Sequence, residues 1–359
     1  MDFYTDIKKL IIYSPSNIAL IKYWGKIQGK QIPMNPSLSF TLSNCRTKTS
    51  VSFEEKGTNI ISDFTFLGKE NEVFKIKTEK YFQRICKLFN SQPTFSVRIE
   101  SENSFPHSSG IASSASSFAS LSFIAFLLIK KTLPSLESKE DLQLLSSLAR
   151  EGSGSACRSI RGGVNLWGAC EEYLDDSNNE FSINIPENNI KDNFKQWKNN
   201  IIIVSANKKE QSSTAGHQLM ENHFYRSGRI NQSKQNLTNC LHSLKDGNLK
   251  EFGEIIENEA LSLHGLMMSS YPSFTLLKPN SLFIIEQLRR FREINNCHLF
   301  FTIDAGPNIH ILFPANEQKF FDKFKILIQN RYENIIEDEI STVGSTYEVI
   351  SKMHVKGPN

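Results

Sequence analysis

The sequence lacks any CxxC pair. Its six cysteines (Cys45, Cys86, Cys157, Cys170, Cys240 and Cys297) are scattered along 359 residues. That excludes a zinc-knuckle framework and reads as reduced thiols of a cytoplasmic protein, not as a disulfide scaffold. Long apolar runs are also missing. The longest, FIAFLLI from Phe123 to Ile129, has seven residues, against the about twenty that span a bilayer; it reads as part of a buried helix, with no membrane partner. Charge of one sign is scarce. A net charge of +3 carries no argument for a nucleic-acid or membrane partner. The N-terminal MDFYTDIKKL has two acids and no apolar core, so no secretory signal is expected. Internal repeats and low-complexity tracts are absent.

What is present is a globular composition, 39% hydrophobic and 22% charged, in a chain long enough for one large or two closely packed lobes. IIYSPSNIALI, SLSFTLSN, TKTSVSFEE and TFSVRIESE read as strands. EVFKIKTEKYFQRICKLF has Tyr81, Ile85, Leu88 and Phe89 at helical spacing. A helix is expected to follow the serine-rich stretch after Phe105 and run to about Lys131. SKEDLQLLSSLARE begins with a serine before an acidic turn, a helix start. GGVNLWGACEEYL is expected to be a strand, and the polar 175–200 stretch to contain a surface loop and mark the lobe boundary. Then come a buried strand, IIIVSA, and helices around Ser213–Phe224, Ser233–Asp246 and Leu249–Ser262. NSLFIIEQLRRFREIN continues the helical pattern, and CHLFFTIDAGPNIHILF reads as strand, tight turn, strand. Strands and helices do not alternate regularly, which predicts an α+β sandwich and not a doubly wound sheet.

Five stretches carry chemistry-bearing side chains. FPHSSGIASSAS, from Phe105 to Ser116, sets Gly110, Ala112, Ser113 and Ser114 at the mouth of a helix. Small residues there let an anion approach the unpaired N–H groups and the positive end of the helix; serine caps and a tightly packed Ser/Ala face account for the same residues. No GK[ST] follows, so this is not a P-loop. SPSNIALIKYWGK ends in Lys22, Tyr23, Trp24 and Lys26, two ammonium groups around two aromatics: phosphate ligands, or solvated lysines beside a core tryptophan. REGSGSACRSIRGG groups Ser153, Ser155 and Arg158, with a guanidinium fork for a carboxylate or phosphate, or forms an interhelical glycine turn with Arg158 in a surface ion pair. FTIDAGPN holds Asp304 at a strand end, where it serves as an acid–base or orienting group or simply caps the turn. SSTAGHQL starts a helix with hydroxyls. Together these are the parts that phosphoryl transfer uses.

In this order NIALIKYWGK, MNPSLSFTLS, SSGIASSAS, GSGSACRS, SSTAGHQL and DAGPN resemble the diphosphomevalonate decarboxylase family of the GHMP kinase superfamily, over about Ser14 to Phe313. The resemblance implies a two-lobed α+β GHMP kinase fold with a central cleft. Residues 1–190 would form an ATP-binding lobe like ribosomal protein S5 domain 2, and residues 191–359 an α/β sandwich. It implies ATP-dependent decarboxylation of mevalonate 5-diphosphate, with ATP and Mg2+, and a homodimer. It further implies that Asp304 orients or deprotonates the 3-hydroxyl and that Lys22 sits beside it. Arg158 would hold the substrate carboxylate, with Ser153 and Ser155 alongside, and Asn17 would lie near the reacting phosphate. Tyr23, Trp24, Lys26 and Ser213 would line the substrate site. Gly110, Ala112, Ser113 and Ser114 would form the ATP-phosphate loop, with Ser114 touching the metal. Two departures stand out. His107 and Ser108 replace the more usual Thr and Ala before the glycine. FLGKENEVF replaces an Asn-Gly-Arg segment, leaving Lys69 as a substitute cation.

Overall fold

The computed structural model describes residues 6–27, 31–106, 111–173, 176–207 and 213–351. The chain opens with β1 (Ile7–Ala19) and the long β2 (Ser37–Glu55), then β3 (Ile61–Phe66), the two-residue β4 (Lys69–Glu70), α1 (Glu72–Leu88) and β5 (Phe95–Asn103). Next come α2 (Ser113–Lys130), α3 (Lys139–Gly152), a 3-10 turn at Gly154–Ser159, β6 (Val164–Trp167), β7 (Ser182–Asn184) and β8 (Trp197–Ile203). The rest is α4 (Ser213–Leu219), α5 (Arg226–Asp246), α6 (Leu249–Met268), α7 (Pro279–Asn295), β9 (Phe300–Thr302), β10 (Ile309–Pro314), α8 (Gln318–Leu327), β11 (Asn334–Glu339) and β12 (Thr346–Ser351).

Two sheets organise these elements. The first runs β12-β1-β2-β5-β3-β4, with β6 added to β2 and β7 to β6; the second is β11-β8-β10-β9. β2 is long enough to serve two partners on one side. Its first residues pair with β6, and Thr47–Glu55 pair with β5. β1 changes register against β2 between Pro15 and Asn17. A bulge suits a proline that has no N–H to donate, and it re-aims the side chains that follow. The last strand, β12, returns to pair with β1, so a division at residue 190 leaves it on the far side from the sheet it completes.

Alternating apolar residues place one core between the first sheet and α1–α3, with Phe82, Phe123 and Phe126 fully enclosed. A second core joins the two sheets through Phe40, Trp197 and Phe252, whose rings lie within 6.4 Å of one another. A third packs α7 and α8 on the second sheet around Phe301, Phe313 and Phe321. Each buried Phe contributes about 1.5–3 kcal/mol, so the second cluster ties the two sheets together. α2 is apolar enough in composition to cross a bilayer, yet 72% of that segment is buried by the rest of the chain, the state of a core helix. All six cysteines are buried, and none is in a disulfide.

The mixed architecture and most element types match expectation, including Ser138 capping α3 by accepting from the Asp141 N–H. Several boundaries do not. The strand expected over GGVNLWGACEEYL ends at Trp167 because Gly168, at φ +106°, turns the chain into a 3-10 turn at Glu171–Tyr173. The polar 175–200 stretch also holds β7 and the start of β8, which its composition does not announce. The helix expected to reach Phe224 stops at Leu219, and α5 begins seven residues before Ser233. Its polar first turns bury Arg229, which an apolar-periodicity reading passes over.

Candidate active site

Beyond Ala19 the chain leaves the sheet, and Leu20 and Ile21 both donate to the Leu38 carbonyl. Lys22 then folds back. Its ammonium donates to the Ala19 carbonyl (2.7 Å) and to Asp304 Oδ1 (2.7 Å). Asp304 stands in the tight turn after β9, and its carbonyl accepts from His264 Nε2 (3.2 Å). The Lys22 side chain is 1% exposed and that of Asp304 24%, so the lysine is sealed while the carboxylate opens outward. Burial pulls the Lys22 pKa below its ordinary value against the attraction of Asp304. Burial pushes the other way on Asp304, but the adjacent Lys22 charge wins and holds the carboxyl below its usual range.

The 3-10 turn Gly154–Ser159 places Arg158 under this pair. Arg158 is 2% exposed. It donates through Nη1 to Ser37 Oγ (2.7 Å) and through Nη2 to Asn17 Oδ1 (3.3 Å), while its Nε has no partner. Among the described residues no carboxylate forms an ion pair with it. Asn17, set by the β1 bulge, donates to Ser159 Oγ (2.8 Å) and the Ser155 carbonyl (3.3 Å). The Tyr23 ring packs edge-on against Trp167, with centroids 4.8 Å apart, and its buried hydroxyl has no hydrogen-bond partner. Burial pushes the phenol pKa up, so Tyr23 remains an O–H donor. Gly154 is required here: a Cβ would sit 2.9 Å from the Tyr23 hydroxyl.

The mouth of α2 lies alongside. Ser16 Oγ donates to the Ile111 carbonyl (3.0 Å), one residue from Asn17, and Ser114 Oγ is 3.3 Å from Ser153 Oγ. The residue before the helix, Ala112, is left-handed (φ 36°), and among the described residues no side chain caps the first turn, which leaves N–H groups there for an external acceptor. Beside it opens a cavity walled by Phe64, Phe66, Phe74 and Phe118 and edged by Lys77, Ser113 and Ser114. Lys77 lies over the Phe118 ring at 5.2 Å. Burial, then the charges of Lys77 and Arg84, lower the Lys26 pKa, so these cations converge on one region. Lys26 meanwhile donates to Gln31 Oε1 (2.6 Å). Lys69 is elsewhere, exposed on β4.

Two family models match the chain: diphosphomevalonate decarboxylase-like N-terminal domain over residues 14–179, and mevalonate 5-diphosphate decarboxylase C-terminal domain over residues 200–354. The chain belongs to the diphosphomevalonate decarboxylase family. It is 32% identical to the diphosphomevalonate decarboxylase of Gibberella zeae over 87% of this chain and 83% of that one. With the Candida albicans protein of that name the identity is 31%, over 86% and 85%. A solved mevalonate diphosphate decarboxylase from Staphylococcus aureus superposes with a TM-score of 0.79 at 30% identity, over 96% of this chain and 98% of that one. A structure from Enterococcus faecalis, titled for a mevalonate diphosphate mediated ATP binding mechanism, gives 0.79 at 27%, over 96% and 100%.

In this family member Asn17, Lys22, Arg158 and Asp304 meet around one centre, and Tyr23, Ser153 and Ser155 border it. Ala112, Ser113 and Ser114 stand at the adjoining helix mouth. Trp24 is a packing residue, 4% exposed among Met220, Leu263, Leu266 and Met267. Gly110, His107 and Ser108 lie outside the described residues, and Ser213 is described only as the first residue of α4. The sequence reading missed the residues that act through others. Ser37 and Asn35 lie inside MNPSLSFTLS, but nothing in that motif indicates their partners. His217, in SSTAGHQL, packs at a tilt against Tyr23 and Trp24, with centroids 4.4 and 4.6 Å away, and accepts from the Gly25 N–H through Nδ1 (3.0 Å). Burial lowers its pKa to about 3. Lys77 was hidden among the charges of an amphipathic helix.

Proposed function

We propose that this chain catalyses the ATP-dependent decarboxylation of mevalonate 5-diphosphate to isopentenyl diphosphate, releasing ADP, phosphate and CO2. The observation that carries the reading is Arg158: a buried guanidinium with only neutral partners, facing an aspartate that is fixed and kept ionised by Lys22. A substrate carboxylate on Arg158 and a tertiary hydroxyl on Asp304 satisfy both groups at once.

The held-down pKa of Asp304 suits it to accept the hydroxyl hydrogen bond and aim the oxygen, more than to remove the proton early. In a loose phosphoryl-transfer transition state the proton leaves late, so aim matters most. The hydroxyl oxygen bonds to the terminal phosphorus as the bond to ADP breaks, and Asp304 is placed to receive the proton. The C3–O bond then breaks with its electrons on phosphate. The electrons of the bond to the carboxylate carbon move into the new double bond, and CO2 leaves. Arg158 orients that carboxylate, and the Tyr23 hydroxyl is a free donor for the substrate's anionic oxygens.

The uncapped α2 mouth with Ser113 and Ser114 fits a polyphosphate, and the phenylalanine-walled cavity fits a purine base. Among the described residues no three His, Cys, Asp or Glu side chains cluster. Mg2+ would therefore be held chiefly by phosphate oxygens, with Ser114 as the protein contact, and would neutralise polyphosphate charge. Six buried cysteines outside any disulfide support a cytoplasmic setting.

The test is ADP release and product analysis with mevalonate, its 5-phosphate and its 5-diphosphate. Isopentenyl diphosphate and CO2 are expected from the diphosphate alone; a stable phosphorylated mevalonate would sink the decarboxylase reading. Asp304→Ala is expected to cut turnover roughly 10²–10⁴-fold with ATP binding nearly unchanged, and near-normal turnover would remove Asp304 from the reaction.

A further inference from the structure

Lys22 is gripped by its backbone as well as by its ammonium. Its N–H donates to Glu259 Oε2 (2.8 Å), and its carbonyl accepts from Arg229 Nη2 (2.9 Å) and Asn35 Nδ2 (3.0 Å). Arg229 on α5 and Glu259 on α6 form a two-pronged pair with each other, at 2.7 and 2.6 Å, and their side chains are 1% and 0% exposed. Asn236 adds a further donor to Glu259 (2.7 Å). The clamp belongs to two helices more than 200 residues downstream of the lysine it holds, and neither of its side chains touches Asp304.

We infer that Arg229 and Glu259 are positioning residues: their buried ion pair sets the backbone of Lys22 so that its ammonium meets Asp304 at the angle the phosphoryl acceptor needs. Two observations carry this. A buried ion pair is commonly no more stabilising than a well-packed apolar pair of equal volume, so stability alone does not account for it. And the pair addresses both backbone groups of one residue, the residue that bonds Asp304. Glu259 also acts on the Lys22 ammonium through space, favouring its charged form, while Arg158 opposes it; Asp304, His310, Tyr23 and His264 also face this centre. The inference rests on the reading of Lys22 and Asp304 as the pair that prepares the substrate hydroxyl.

The experiment compares purified full-length chains: wild type, the double variant Arg229→Met with Glu259→Leu, Arg229→Lys, Lys22→Met, and Lys22→Met combined with the double variant. The double variant keeps the volume apolar and is expected to unfold near the wild-type urea midpoint. Its kcat should fall about 30–100-fold, with KM for mevalonate 5-diphosphate within about threefold. The alkaline limb of its pH–rate profile should move to lower pH, because Lys22 loses the Glu259 charge. Added to Lys22→Met, the double variant should lower kcat no further, since it acts through that lysine. A folded double variant with wild-type kcat and pH profile overturns the inference, and so does an additive loss in the combined variant. If the double variant does not fold, Arg229→Lys is read in its place. It keeps the charge but not the fork, so kcat should fall about tenfold, and wild-type kcat there overturns the inference equally. Should Lys22→Met itself retain full activity, the reading of the catalytic pair fails, a result separate from any failure of the clamp.

Discussion

Arg158 and Arg229 are both buried, 2% and 3% exposed, and both act on Lys22, yet their surroundings are opposite. Arg229 is matched by a carboxylate at two points. Arg158 has only a serine hydroxyl and an asparagine carbonyl, and the Nε of both arginines lacks a partner. Withdrawing a guanidinium from water is expensive, and the expense is offset only by an anion with good geometry. At Arg229 the protein supplies that anion; at Arg158 it leaves the place for a ligand. The first arrangement builds the turn that carries Lys22, and the second makes a site.

The contrast breaks most directly by neutralising each arginine in turn. Arg158→Gln is expected to lower kcat/KM for the substrate about 10²–10³-fold and to leave the urea midpoint unchanged or raised, because no protein anion is orphaned. Arg229→Gln, which strands Glu259, should cost about 3–5 kcal/mol of stability. Equal destabilisation by both would erase the distinction.

Two buried histidines sharpen it, since they show a third way to bury a base: uncharged. Burial lowers His217 to about 3 and His310 to about 4, from an ordinary 6.5. Below pH 6.5 the unfolded chain takes up protons that the folded chain refuses. Stability is therefore full above that pH and is lost as pH falls. At pH 5 each histidine should have removed about 2 kcal/mol. Urea titrations at pH 8 and 5 measure the loss, and His217→Phe should abolish about half of it; a pH-independent midpoint would show that these rings titrate freely.

The smallest expected effect concerns cations that stay near water. Lys77→Ala should raise KM for ATP about tenfold, and Lys69→Ala should leave it within about twofold. The reverse outcome would place the nucleotide-facing cation on β4 and not on α1.

Much of the site was legible because its residues lie in short motifs whose side-chain types suit anions: Asn17 and Lys22 on one, Ser153 and Arg158 on another, Asp304 on a third. The helix starts were legible where a cap is local, as at Ser138. Arg229 and Glu259 gave no such signal. Each sits in a helix rich in polar residues, and one charge among many reads as solvated until its partner is seen. Lys69, read as a substitute for a missing arginine, lies exposed on β4, whereas the cation at the cavity edge, Lys77, comes from the next helix and gave no signal of its own.

Local chemistry, then, determined by itself which groups this protein offers to an anion and which segments become strands or helices, since capping, periodicity and glycine turns act over a few residues. Only the tertiary structure decided which of those charges are paired and which stand waiting. Pairing depends on distance and on exclusion of water, and both are properties of elements brought together from opposite ends of the chain.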